Sequence, residues 1–370
     1  MIKASLLFLL FSSISYATSF SDGSKKFGLT GGNDACWFDF NNDGWTDVCV
    51  GGNVYRNIEG KKFVFITKTG PSVAADFVVL PDPKGLPYNQ RGPFSSGFLP
   101  AIHQGTVINA STEAPVPDLF AMDRFKYSDR LSEEQGLNLL NQINKNHASQ
   151  RADDSRLESR IRSYELAAKM QLAAPEAFDL SRESRVTRQG YGLDDKVTKD
   201  FGRRCLLARR LIERGTRFVQ VWSGPQGAVN NWDNHGSIPK ELPPMAASVD
   251  KPIAALLGDM KARGLLEDTL LIWTTEFGRT PFAQGGDGRD HNGGTFVTWM
   301  AGAGIKPGVS YGQSDEWGYK TLEGKTYCYD FHATVLHLMG IDHERLTFRQ
   351  NGIDRRLTDV HGHVVHEILA

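Results

Sequence analysis

The chain has 370 residues and a formal net charge of −1, with 42 Lys and Arg against 43 Asp and Glu. That balance argues against a bulk electrostatic partner such as nucleic acid or an anionic membrane. A 40% hydrophobic and 10% aromatic composition suffices for a normal core in one large domain or two, and four cysteines are too few for a disulfide-stapled scaffold.

Residues 1–17 have the layout of a secretory signal peptide: Lys3, an apolar run from Leu6 to Phe11, then small residues ending at Ala17. The run is too short to span a bilayer, and no later segment is long and apolar enough. The expected location is therefore secreted or periplasmic. Residues 18–72 read as short strands rich in Gly and Asn: "ACWFDF", "TDVCVGG", "NVYRNI" and "KKFVFIT". Cys36 and Cys49 flank an acidic loop so that a hairpin would set them opposite each other, although spacing alone establishes no bridge. Cys205 and Cys328 sit in apolar settings that predict buried thiols.

Residues 76–125 are rich in Pro and Gly turn formers. Residues 128–190 read as helix, with Ser128 or Asp129 as the cap of "SDRLSEEQGLNLLNQINKN", and with "DSRLESRIRSYELAAKMQLA" closed by Pro175. From about residue 198 the pattern is α/β. "KDFGRRCLLARRLIERG" predicts an amphipathic helix ended by Gly215, and "TRFVQVW" a strand. "DKPIAALLGDMKARG" predicts a helix capped by Asp250 and ended by Gly264. "DTLLIWTTE" and "GGTFVTWMAGAG" predict strands, and "YDFHATVLHLMG" a helix with Asp330 near its start. Alternating strands and helices imply a mostly parallel sheet covered on both faces, with chemistry at the carboxyl ends of its strands.

Two motifs carry chemistry. The first is D-x-N-x-D-G-x-x-D: Asp39, Asn41, Asp43, Gly44 and Asp47, with the carbonyl of Trp45 as a further ligand. Alternate oxygen-bearing side chains around a glycine turn suit calcium; an acidic hairpin turn would use the same residues. The segment at about 27–67 resembles one FG-GAP/VCBS repeat, which in that family forms a propeller blade. One blade cannot bury its own faces and no second copy is present, so a small appendage is expected.

The second motif is spread over "NNWDNHGS", "LIWTTEFGRTP" and "GGDGRDHNGG". It offers Asp233, His235, Glu276 and His291, with Asp290 beside the last, as divalent-metal ligands among glycines that permit close approach. Singly, each has a plainer role: an Asx turn at Asp233, an ion pair of Glu276 with Arg279, a loop histidine at His291. His361, His363 and His366 alternate and offer a lesser candidate cluster, while His332 and His337 fit a packed helix.

The stretches "FVVLPDPKGLPYN", "GFLPAIHQGTV", "CLLARRLIERGTRFVQVW", "WDNHG", "EFGRTP", "GRDHN" and "DFHATVLHLMGIDHERLTF" occur in order, and from about 76 to 370 the chain resembles the bacterial family called domain of unknown function 1501 (DUF1501). The resemblance places it with the sulfatase-like, alkaline-phosphatase superfamily. It implies an α/β/α sandwich and a divalent-metal site (zinc, manganese or calcium) hydrolysing phosphate or sulfate esters of small molecules or polysaccharides. By the same resemblance Asp233 and His235 stand as a metal pair and His291 as the final histidine ligand. Glu276 stands for an Asp, and Phe277 replaces a histidine ligand. The family's early metal Asp and nucleophile segment has no counterpart in residues 18–75, so the domain, placed at 73–370, is expected to lack its N-terminal part. Two functions stay open on the sequence: an exported metal-dependent ester hydrolase, and a non-catalytic exported protein that binds calcium or another ligand.

Overall fold

The computed structural model describes residues 77–87, 91–96, 104–110, 130–149, 177–224, 231–350 and 352–370, and the backbone of 6–12, 35–38, 47–50, 53–58 and 62–68. The first strand is β1 (Leu6–Ser12). A four-stranded antiparallel meander follows: β2 (Ala35–Phe38), β3 (Asp47–Val50), β4 (Asn53–Ile58) and β5 (Lys62–Lys68). Its register sets Cys36 opposite Cys49, as the hairpin spacing anticipates. The calcium-type ligands Asp39, Asn41, Asp43 and Trp45 lie outside the described residues, and Asp47 is described in backbone only.

Next come β6 (Phe77–Leu80), β7 (Thr106–Val107), α1 (Arg130–Ser149), the short α2 (Arg185–Gly190), α3 (Lys199–Ile212), β8 (Phe218–Ser223) and α4 (Ile238–Ala262). The C-terminal part holds β9 (Thr269–Thr274), β10 (Gly278–Gln284), β11 (Gly288–Asn292), β12 (Trp299–Ala301), β13 (Gln313–Ser314), β14 (Thr321–Glu323), α5 (Cys328–Leu338), β15 (Thr347–Gln350) and β16 (Ile353–Arg356). No described helix is long and apolar enough to cross a membrane.

The main sheet runs β12–β9–β1–β8–β6–β7. β6 pairs in parallel with both β7 and β8. β1 lies antiparallel between β8 and β9, and β12 is antiparallel to β9. Among the described residues, parallel pairing is thus confined to three strands of a mixed α/β protein, fewer than the sequence suggests. The reason is visible at β1: the run read as the core of an export leader fills a strand slot. A central strand and a leader both ask for unbroken hydrophobicity, so the six residues from Leu6 to Phe11 answer either description.

Side chains alternate across the sheet as the pleat requires. Val78, Leu80, Val219, Val221 and Leu271 join the larger core with Leu206 and Leu211 of α3 and Leu256 and Met260 of α4. Leu270 and Ile272 turn the other way and pack with Val335 of α5. Val79 and Trp222 close on Phe94. Each such aliphatic side chain contributes about 1.5–3 kcal/mol of burial, so the strands beside the site are held from both faces.

Most predicted ends hold. Gly215 and Gly264 end their helices with φ of 87° and 72°, and Asp330 Oδ2 accepts the Tyr327 N–H at 2.8 Å to cap α5. The helix capped at Asp250 in the sequence reading instead begins at Ile238 and passes through Pro243, Pro244 and Pro252. Met245, Val249, Pro252, Leu256 and Met260 supply one buried face at helical spacing, and that face carries the helix past its prolines. Two further expectations are corrected. Cys328 is exposed at the start of α5, whereas Cys205 is buried and its burial pushes the thiol pKa up. The predicted strand "GGTFVTWMAGAG" shortens to β12, ending at Gly302 (φ 84°), where a Cβ would stand 2.3 Å from the Thr269 carbonyl oxygen.

Candidate metal centre

The site forms where the segment after β8 lies along the β10–β11 hairpin. Arg289 N–H donates to the Asn234 carbonyl at 3.0 Å, Ile238 N–H donates to the Asp287 carbonyl at 3.2 Å, and Ser237 bridges Asp287. This approach requires glycine at 288, because a Cβ there would sit 1.7 Å from the His235 carbonyl oxygen. At the other end of the hairpin a Cβ on Gly278 would sit 2.3 Å from the Thr295 carbonyl oxygen. The glycines thus serve backbone-to-backbone contact, which then sets the side chains.

Three of the expected ligands converge. Asp233 Oδ1 lies 2.8 Å from His235 Nε2 and 3.2 Å from His291 Nε2, and the two Nε2 atoms are 3.0 Å apart. The imidazole centroids are 4.8 Å apart. Among the described residues, these three form the one group of His, Cys, Asp or Glu side chains able to hold a metal ion. His361, His363 and His366 do not form such a group; His363 instead donates its backbone N–H to Asp330 Oδ1 at 2.8 Å. His332 lies on α5, and the neighbouring protein that keeps water from its ring holds its pKa below the ordinary histidine value.

The arrangement has an ordered outer shell. His235 Nδ1 contacts Gln284 Oε1 at 2.5 Å. The contact holds the ring so that its Nε2 faces the cluster. Arg279 donates through its terminal nitrogens to Asp233 Oδ1 (3.2 Å), the Trp232 carbonyl (3.1 Å) and the Arg289 carbonyl (3.2 Å). Phe277 lays its ring on His291 with centroids 4.0 Å apart. The Asx turn belongs to Asn231 rather than to Asp233: Asn231 Oδ1 accepts the Asp233 backbone N–H at 2.9 Å. Burial works to raise the Asp233 carboxyl pKa. Hydrogen bonds from His291 and Arg279 and the charge of His235 outweigh it and hold the group below the usual carboxylate range.

Two parts of the expected site are corrected. Glu276 follows β9 but is not a member of the converging group; its Oε2 accepts from Thr275 Oγ1 at 3.2 Å. Arg279, read as its partner, pairs with Asp233 instead. His291, expected in a glycine-rich loop, is on strand β11, where the register sets it opposite Arg279. Asp290 is exposed and accepts the His291 backbone N–H at 2.8 Å. Gln284 and the role of Arg279 are absent from the sequence reading. Gln284 lies 49 residues from His235, and only the hairpin register brings them together.

A family model described as a protein of unknown function (DUF1501) matches residues 69–369. The chain belongs to the DUF1501 family. The match starts at residue 69, a few residues before the domain start expected at residue 73. All of the converging residues lie inside the DUF1501 match. No curated protein and no solved structure matches the chain.

Proposed function

We propose that this DUF1501 chain is an exported, metal-dependent hydrolase of the sulfatase-like, alkaline-phosphatase superfamily, built on that superfamily's α/β/α sandwich and acting on phosphate or sulfate esters. The observation that carries the reading is the convergence of Asp233 Oδ1, His235 Nε2 and His291 Nε2 within 3.2 Å of one another. A carboxylate and two imidazoles suit a divalent cation such as zinc or manganese. When bound, a cation at these residues supplies Lewis acidity toward an ester oxygen and lowers the pKa of a hydroxyl beside it. The chain's own part is positional: Gln284 orients the His235 ring, Arg279 steadies Asp233, and Phe277 seats the His291 ring.

A second reading is favoured by the place of Glu276. With that carboxylate outside the group, a two-metal site lacks one of its expected ligands. On this reading the protein is an exported binder, with calcium in the loop at Asp39–Asp47 and a ligand at the Asp233 cluster. Purified full chain assayed on aryl phosphate and aryl sulfate with zinc, manganese or calcium separates the two. Turnover that disappears in His291→Ala supports the hydrolase. Folded, metal-loaded protein without turnover on either ester supports the binder.

A further inference from the structure

We infer that the Asp233–His235–His291 cluster takes a single divalent first-row cation in a six-coordinate, facial setting, leaving three adjacent positions for water or substrate oxygens. This rests on reading the cluster as a metal site and adds its nuclearity and geometry.

The donor triangle is the first support. Three mutually adjacent ligands about 2.1 Å from an octahedral ion lie about 3.0 Å apart, whereas around tetrahedral zinc they lie about 3.3–3.4 Å apart. The observed edges are 2.8, 3.0 and 3.2 Å. A point about 2.1 Å from all three atoms stands roughly 1.2 Å above their plane, which is where an octahedral centre belongs. Two imidazoles and one carboxylate on one face is also the donor set of mononuclear sites with open positions.

What surrounds the triangle is the second support. Metals in two-metal sites sit about 3.5–4 Å apart and need bridging or additional ligands. The Arg279 guanidinium lies 3.2 Å from Asp233 Oδ1, the oxygen of the triangle itself, and its positive charge repels any further cation beside that carboxylate. The Phe277 ring covers His291, and Glu276 is outside the group.

Cobalt(II) titration of the chelator-stripped full chain tests this, with calcium saturating so that the loop at residues 39–47 is occupied. The expected result is one cobalt equivalent with the weak visible bands of six-coordinate cobalt. Affinity should fall at least tenfold in His291→Ala and in His235→Asn, with circular dichroism confirming the fold of both, and should stay within twofold in Glu276→Ala. The number of equivalents lost in His291→Ala gives the nuclearity. Two equivalents lost, or the intense bands of tetrahedral cobalt, overturn this inference while leaving the metal site standing. No cobalt bound by the folded chain overturns the metal reading and this inference with it.

Discussion

Two clusters of charged and polar side chains in this protein are built to opposite plans. Between α3, α4 and the segment around Glu183, three guanidinium groups meet three carboxylates. Arg209 contacts Glu183 at 2.8 Å, Glu213 at 2.6 Å and Asp259 at 3.0 Å. Arg263 contacts Asp259 at 2.6 Å and Glu213 at 2.9 Å, and Arg210 pairs with Glu183 and donates to the Ala177 carbonyl at 2.8 Å. Charges alternate, and every oxygen faces a cation. At Asp233, His235 and His291 three groups of metal-ligand type face one another instead, with Arg279 at one side. The lesson is that burial and charge do not by themselves mark a site. The first cluster is the more buried, with Arg209 1% exposed against 31% for the His235 side chain. A surplus of donors aimed at one point is what asks for a ligand, whereas alternation consumes its own valence.

That contrast can be broken by experiment. The largest effect is expected from Arg209→Ala, which takes the most buried cation from three carboxylates and leaves each a single close guanidinium partner, at a cost of about 3 kcal/mol of stability. Denaturant unfolding measures it, and metal binding by the remaining folded protein should be unchanged. A loss below about 1 kcal/mol would place this network with ordinary surface pairs and dissolve the distinction.

Acid should produce an intermediate effect. Burial raises the Glu183 carboxyl pKa, but its pairs with Arg209 and Arg210 prevail and hold it below the ordinary value. The folded pKa is therefore depressed. The stability it contributes is present above the unfolded value of about 4.3 and is lost as pH falls through the folded value. The denaturation midpoint should be flat near neutrality and drop below about pH 4, and the drop should be shallower in Glu183→Gln. Equal slopes in the two proteins would show that Glu183 is not a source of the acid sensitivity.

The smallest effect on stability is expected at the other cluster. His291→Ala removes a half-buried ring from a two-stranded hairpin and relieves crowded donors, so the metal-free protein should change by less than about 1 kcal/mol in denaturant unfolding. A loss comparable to that of Arg209→Ala would mean that the cluster is scaffold and would blur the two plans into one.

The difference also explains which features could be read ahead of the structure. Asp233 and His235 were legible because a D-x-H step just past an apolar strand has few structural uses, and His291 because "GRDHN" places an imidazole among glycines. Glu276 was legible as a strand-end carboxylate but not as a bystander. The structure instead sets Phe277 against His291 and Arg279 against Asp233. Gln284 gave no signal, since an exposed glutamine near a glycine turn is common. The start of α4 was missed because Pro243 and Pro244 argue locally against helix, while the buried face from Met245 to Met260 overrules them.

By itself the sequence determined the helices α3 and α5, the strands β8 and β9, the glycine helix ends, and three residue types fit for a cation. These follow from local rules: periodicity, backbone freedom and ligand chemistry. Tertiary structure alone decided that β1 fills a slot in the sheet, that His291 stands on a strand, and that Arg279 faces Asp233 rather than Glu276. Those outcomes depend on contacts between residues tens of positions apart, where register and packing choose among partners that are chemically equivalent along the chain.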